Sequence, residues 1–225
     1  MLSAIIFDFD GVIVDSHAVH MQAWKELLRS KGKPVSDQDL EFVREGAKRD
    51  EILRRFMGEL TAEQVERYGA EKQQLVELHF GELRLVNGCA VFLAETEAAG
   101  LPMAVASSGS RKRVEETLRR FGLQDKFRAI VTADDVRKGK PDPELFQLAA
   151  QRLAVEKKNI LVCEDAVAGV VAAKNAGMRC MAIAAEGREE LLKAAGADLI
   201  VPDFTHVTID LVRSMFVPSR SAAAL

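Results

Sequence analysis

Cysteine is scarce in this chain. Three residues, Cys89, Cys163 and Cys180, stand far apart and are odd in number. No C-x-x-C and no metal-type cysteine spacing occurs, which argues against a disulfide framework or a thiolate metal site. Cys163 and Cys180 lie in apolar runs and read as small buried hydrophobes with reduced thiols. None of the three has an adjacent histidine to activate it. A basic surplus is also missing: net charge is −3, with acids and bases mixed along the chain. Nucleic-acid binding would need a basic patch or stripe, so it is not expected. No apolar run approaches a membrane span. The N-terminal apolar residues run into Asp8 without a basic leader region, so a cytoplasmic protein is expected. Internal repeats and long low-complexity segments are absent. No feature demands a partner chain, so a monomer is expected.

What is present is an ordinary globular composition, 48% hydrophobic and 29% charged over 225 residues. That length suits one large or two small domains. The run Ala4-Ile5-Ile6-Phe7 reads as a buried strand. Residues 16–83 carry only helical patterns. His20, Trp24, Leu27 and Leu28 share one helix face, and Gly32 and Pro34 end that helix. Ser36-x-x-Asp39 predicts a second helix and Gly46 a break. Ile52, Leu53, Phe56 and Met57 mark a third face, and Thr61-x-x-Gln64 caps a long last helix. From Val86 onward helices alternate with short apolar strands: Met103–Ala106, Ala129–Val131, Ile160–Cys163, Cys180–Ile183 and Leu199–Val201. Asp142 and Pro143 predict the cap and first turn of one helix. Ser219–Leu225 reads as a frayed tail.

This rhythm predicts an α/β fold, a Rossmann-like parallel sheet core with an inserted all-helical cap domain. The core would comprise residues 1–15 and 84–225, and the cap 16–83. Ligands in such sheets bind beyond the carboxyl ends of the strands. The conspicuous polar residues fall at that edge. Asp8 and Asp10 end the first strand, Ser107 and Ser108 follow another, Lys140 lies in a later loop, and Glu164 and Asp165 end a fourth. Carboxylates about 4 Å apart repel by roughly 1 kcal/mol in water and roughly 4 at an effective dielectric of 20. A cation, a proton or a positive side chain must offset that. Carboxylates at two strand ends suit Mg²⁺. Ser107 with the amides of Ser108 and Gly109 makes an anion cradle ahead of a helix, and Lys140 adds positive charge. The set is what phosphoryl transfer to a carboxylate requires.

The motifs Asp8-Phe9-Asp10-Gly11-Val12-Ile13-Val14-Asp15, Val105-Ala106-Ser107-Ser108, Gly139-Lys140-Pro141-Asp142-Pro143 and Cys163-Glu164-Asp165 span nearly the whole chain. Together they resemble the haloacid dehalogenase superfamily of phosphohydrolases, in the β-phosphoglucomutase and phosphoglycolate phosphatase-like branch with a helical cap after the first strand. The resemblance implies Asp8 as a nucleophile forming an aspartyl-phosphate, and Asp10 as general acid and then base. It implies Ser107 and Lys140 as holders of the phosphoryl group, with Ser108 beside them. It implies Mg²⁺ held by Asp8, Asp165 and the backbone carbonyl of Asp10, with Glu164 a ligand or just behind. Acting as an acid, Asp10 would need a raised pKa. His20 and Arg49 match cap positions that reach substrate in sugar-phosphate enzymes, though His20 also fits plain cap packing. Asp15 reads as a hinge residue.

The expected activity is Mg²⁺-dependent hydrolysis of a small phosphorylated metabolite: a sugar or polyol phosphate, or phosphoglycolate. The alternative is a hexose-phosphate mutase, which Glu45 and Ile52 disfavour because they stand where mutase-like caps carry polar or positive residues. A phospho-accepting signalling module fits less well, having little use for a cap or for Asp10. A dehalogenase needs neither Mg²⁺ nor a second acid at Asp10.

Overall fold

The computed structural model describes residues 1–45, 49–184 and 187–217, without the side chains of residues 44 and 45. The break expected at Gly46, the tail expected over Ser219–Leu225 and the side chain of Glu45 lie outside the described residues.

Strand β1 (Ala4–Phe7) is buried along its whole length. Its side chains alternate between two faces, as strand geometry requires: Ile5 and Phe7 join one apolar cluster, Ala4 and Ile6 the other. Burying an Ile or Phe of this kind contributes about 1.5–3 kcal/mol. The chain then leaves through β2 (Val14–Asp15) into helix α1 (His17–Ser30). Helices α2 (Arg49–Met57) and α3 (Ala62–Leu78) follow, and the chain returns through β3 (Arg84–Leu85). Strands β2 and β3 pair antiparallel, so exit and return lie side by side. The three helices enclose a cluster of their own around Trp24, Leu27, Leu28, Leu40 and Leu53.

The rest of the chain alternates: α4 (Cys89–Ala98), β4 (Met103–Ala106), α5 (Arg111–Arg120), β5 (Ala129–Val131), α6 (Glu144–Leu153), β6 (Ile160–Glu164), α7 (Val167–Asn175), β7 (Arg179–Ile183), α8 (Glu189–Ala194), β8 (Leu199–Val201) and α9 (Ile209–Ser214). Six strands form one parallel sheet in the order β5-β4-β1-β6-β7-β8. The fold is thus the expected α/β Rossmann-like sheet covered by helices. Chain order reverses beside β1, where β4 and β6 flank it, and such a switch point opens a crevice at the carboxyl ends.

Three local expectations shift. The Ser36/Asp39 box forms, with Ser36 Oγ donating to Asp39 Oδ2 at 2.6 Å. It opens a 3-10 helix (Gln38–Glu45) rather than an α-helix. Leu40 and Val43, three residues apart, both pack inward, a spacing that suits a three-residue turn. Helix α6 starts one residue late, after Pro143, and Asp142 Oδ1 accepts the Glu144 amide at 3.0 Å. The β2–β3 pair and α8 were not expected, being too short to carry a period. Among the described residues no helix is long and apolar enough to cross a membrane.

Candidate active site

Strand register brings the acids together. Phe7 pairs with Cys163, so Asp8 and Glu164 emerge side by side from β1 and β6. Asp8, Glu164 and Asp165 are all buried, and each offers an oxygen within 4.8 Å of the others. Lys140 reaches in from the loop after β5 and donates to both Asp8 Oδ1 and Glu164 Oε1. The second oxygen of Glu164 accepts the amides of Asp165 and Ala166 at 2.7 and 2.8 Å. Gly169 on α7 leaves room for this carboxylate: a Cβ there would stand 1.7 Å from Glu164 Oε1.

Burial pushes the Asp8 carboxyl well above its ordinary range; Lys140 opposes this, while Glu164 and Asp165 add to it. Burial alone would lower the Lys140 ammonium, but Asp8 and Glu164 outweigh it and raise it. Two of the three carboxylates, Asp8 and Glu164, thus share one ammonium. The surplus negative charge and the all-oxygen donor set fit a hard divalent cation. Among the described residues these three could hold a metal.

Asp10 faces elsewhere. Arg113 on α5 grips it with a fork, Nη1 to Oδ1 at 2.8 Å and Nη2 to Oδ2. Ser16 Oγ donates to Oδ1 at 2.7 Å, and His20 Nε2 lies 3.4 Å from it. Behind His20, its Nδ1 touches the ammonium of Lys72 on α3, which lies 5.4 Å from the Trp24 ring centroid. Burial would raise the Asp10 pKa, but Arg113 and the bonds from His20 and Arg113 overcome it and hold it well below the usual range. This corrects the raised pKa expected of a resting acid. The cause is a guanidinium that no motif near Asp10 announces. It also holds the Asp10 carboxylate apart from the acid cluster of Asp8, Glu164 and Asp165. Burial and Lys72 lower His20 to about 4, so its imidazole is neutral at pH 7. Burial and Arg113 lower Lys72 to about 7.

Ser107 is buried at the end of β4, and its Oγ accepts the Gly109 amide at 3.0 Å. That amide, expected in the anion cradle, is therefore turned back on Ser107. Ser108 is exposed and lines a 580 Å³ cavity with Asp8, Asp10, Lys140 and Asp165. His20, Trp24 and Ile52 line its opposite wall. Arg49 stands on that wall too, half-exposed and paired with Glu66 at 2.6 Å. The fold thus assembles Asp8, Lys140, Glu164 and Asp165 as one cluster and places Asp10 and His20 in another, with Arg49 on the cavity wall. Sequence reasoning missed Lys72, Arg113 and His17, whose Nε2 lies 2.9 Å from Asp165 Oδ2. Only the face shared by His20 and Trp24 hinted at an inward-looking polar group there.

Residues 5–183 match the family model described as haloacid dehalogenase-like hydrolase. The chain is 32% identical to validoxylamine A 7'-phosphate phosphatase of Streptomyces hygroscopicus subsp. limoneus, over 92% of this chain and 96% of that one. It is 33% identical to β-phosphoglucomutase of Bacillus subtilis (strain 168), over 94% of each. A solved haloacid dehalogenase hydrolase of family IA, variant 3, from Entamoeba histolytica HM-1:IMSS superposes with a TM-score of 0.87 at 25% identity, covering 96% of this chain and 99% of that one.

Proposed function

We propose, from the premise that this chain belongs to the haloacid dehalogenase-like hydrolase family, that it is a Mg²⁺-dependent phosphatase of small sugar or polyol phosphates. The observation that carries this is Asp8 itself: a buried carboxylate at a strand end, bonded to Lys140 and crowded by Glu164 and Asp165. An anionic nucleophile meets an anionic phosphate only where cations screen both. Mg²⁺ held by Asp8, Asp165 and the backbone carbonyl of Asp10 would neutralise charge on the attacking carboxylate and the phosphate oxygens. Glu164 stands behind, its oxygens already committed to Lys140 and two amides.

In this reading Asp8 attacks phosphorus and the bond to the leaving oxygen breaks. Lys140 and Ser107 hold the transferring group. Asp10 protonates the leaving oxygen, then takes a proton from the water that hydrolyses the aspartyl-phosphate. The Arg113 fork holds Asp10 in the basic form that the second step needs, so the first step requires the fork to loosen. Helices α1–α3 act as a cap over the sheet edge, hinged where β2 and β3 pair, and exclude bulk water. His20, Lys72 and Arg49 face the leaving group from that side.

A mutase would use the same nucleophile, and the similarity to β-phosphoglucomutase favours it as the second reading. Against it, Ile52 presents an apolar surface to the cavity. A phosphate-release panel of sugar phosphates, polyol phosphates, phosphoglycolate and nucleotides, with and without Mg²⁺, tests the proposal. Mg²⁺-dependent release from a sugar or polyol phosphate is expected. Isomerisation of a hexose 1-phosphate without stoichiometric release would overturn it.

A further inference from the structure

His17, the first residue of α1, has no part in the mechanism above, yet it reaches the acid cluster. Its Nε2 lies 2.9 Å from Asp165 Oδ2, across 148 residues of chain. An ionised carboxylate only accepts, so the ring nitrogen is the donor. The contact runs from the helical insert to the sheet edge. It lies directly over Gly11, whose φ is +76°. A Cβ at that position would stand 2.2 Å from Asp165 Oδ2 and 2.7 Å from His17 Nε2. Gly11 therefore does two things: it turns the chain after Asp10, and it leaves the space in which imidazole and carboxylate meet. From another side, Arg188 Nη1 donates to the Asp165 backbone carbonyl at 3.2 Å. Asp165 is thus held at both its main chain and its carboxylate. His17 is about a third exposed and Asp165 a tenth. Solvent weakens a charge effect at such a pair, so its value is orientation.

We propose that His17 is a positioning residue for the metal site, committing Asp165 Oδ2 and leaving the other carboxylate oxygen to a divalent cation. This rests on the reading of Asp165 as a metal ligand. Partners that orient a ligating carboxylate typically change metal affinity by about 10–100-fold when removed. A carboxylate without the donor can rotate, and one oxygen is no longer reserved.

The test is Mn²⁺ binding to the full chain without substrate, read by electron paramagnetic resonance of free Mn²⁺ and by calorimetry. His17→Ala should weaken binding about 10-fold. His17→Gln, whose amide places an N–H at a similar reach, should recover most of it. Melting in EDTA checks that the variants are folded; His17→Phe, which fills the space without a donor, replaces His17→Ala if that does not fold. Asp165→Asn is the control for the underlying reading. If Asp165→Asn loses Mn²⁺ while His17→Ala binds like the wild type, the positioning role is wrong. Weak binding in His17→Gln equal to that of His17→Ala would likewise overturn it, since the donor would not be what matters. If Asp165→Asn binds Mn²⁺ like the wild type, the metal-site reading itself has failed.

Discussion

Asp8 and Asp10 stand two residues apart and live in opposite surroundings. Around Asp8 three carboxylates stand together, and the one ammonium among them bonds two. Around Asp10 one carboxylate meets a guanidinium, an imidazole and, one contact further, an ammonium. The carboxylates and ammonium of the first cluster all come from strand ends and loops of the sheet, with α1 adding only His17 beside Asp165; the second draws its imidazole and ammonium from α1 and α3. Their carboxyl groups are accordingly driven apart, Asp8 upward by burial and Asp10 downward by Arg113 in spite of burial. This separation runs opposite to the proposed roles, an ionised nucleophile at Asp8 and a proton donor at Asp10, so a bound cation must lower Asp8 and the Arg113 fork must release Asp10 before each can act. The acid-rich cluster calls for an added cation, whereas the cation-rich one already holds its acid ionised.

Removing the nucleophile tests the comparison most severely. Asp8→Asn should cut phosphate release by about 10⁴-fold or more, because the neighbouring carboxylates are engaged elsewhere, Glu164 by Lys140 and two amides and Asp165 by His17. Steady-state phosphate assays check this, and retained activity would refute a covalent role. Asp10→Asn should act next most strongly, slowing turnover by about 10²–10⁴-fold. It should leave the acid-rich cluster competent, so phosphoenzyme should build up with an activated leaving group, which rapid-quench labelling would detect.

Lys72→Met breaks the cation-rich side alone. Lys72 titrates at about 7 in the folded chain, below the ordinary lysine value. Between about pH 7 and 10 the unfolded chain therefore binds a proton that the folded one does not, and wild-type stability rises with pH across that window. Below it the folded protein carries a buried charge at a cost. Lys72→Met should melt several °C above the wild type at pH 6, with about 2–4 °C per kcal/mol. The gap should shrink toward pH 10. A gap that does not change with pH would mean that burial does not strain this ammonium.

The smallest expected effect lies outside both clusters, at Asp135. Burial pushes this carboxyl up, but Arg152, the Thr132 amide and hydroxyl, and Arg111 together bring it to about 2. Its pKa is lowered on folding, so its contribution is present above the unfolded value near 4 and lost as pH falls through about 2. Asp135→Asn should cost about 1 kcal/mol at pH 7 by denaturant titration, because solvent screens its half-exposed arginine partners. It should lower turnover only a few-fold, since Asp135 braces the start of the loop that carries Lys140 without itself touching either cluster. A large loss of turnover would mean that the brace at Asp135 sets the position of Lys140.

Much of this is legible in the sequence. The strands ending at Asp8, Ser107 and Glu164 announce themselves as apolar runs that stop at polar residues. The insert announces itself by period. Harder to read were Gly109, whose amide bonds Ser107, and the exit and return strands of two residues each. Such features are too short to leave a pattern.

What the sequence alone determined is local: which runs are strands, which are helices, and hence which polar residues arrive at one edge of a parallel sheet. Only the tertiary structure decided which charge meets which. Arg113 lies 103 residues from Asp10, Lys72 lies 52 from His20, and His17 lies 148 from Asp165. The physical reason is that strand and helix periods follow from a few neighbouring residues. A buried carboxylate's pKa follows instead from whatever packing brings within a few ångströms, and that depends on how α1, α3 and α5 settle against the sheet.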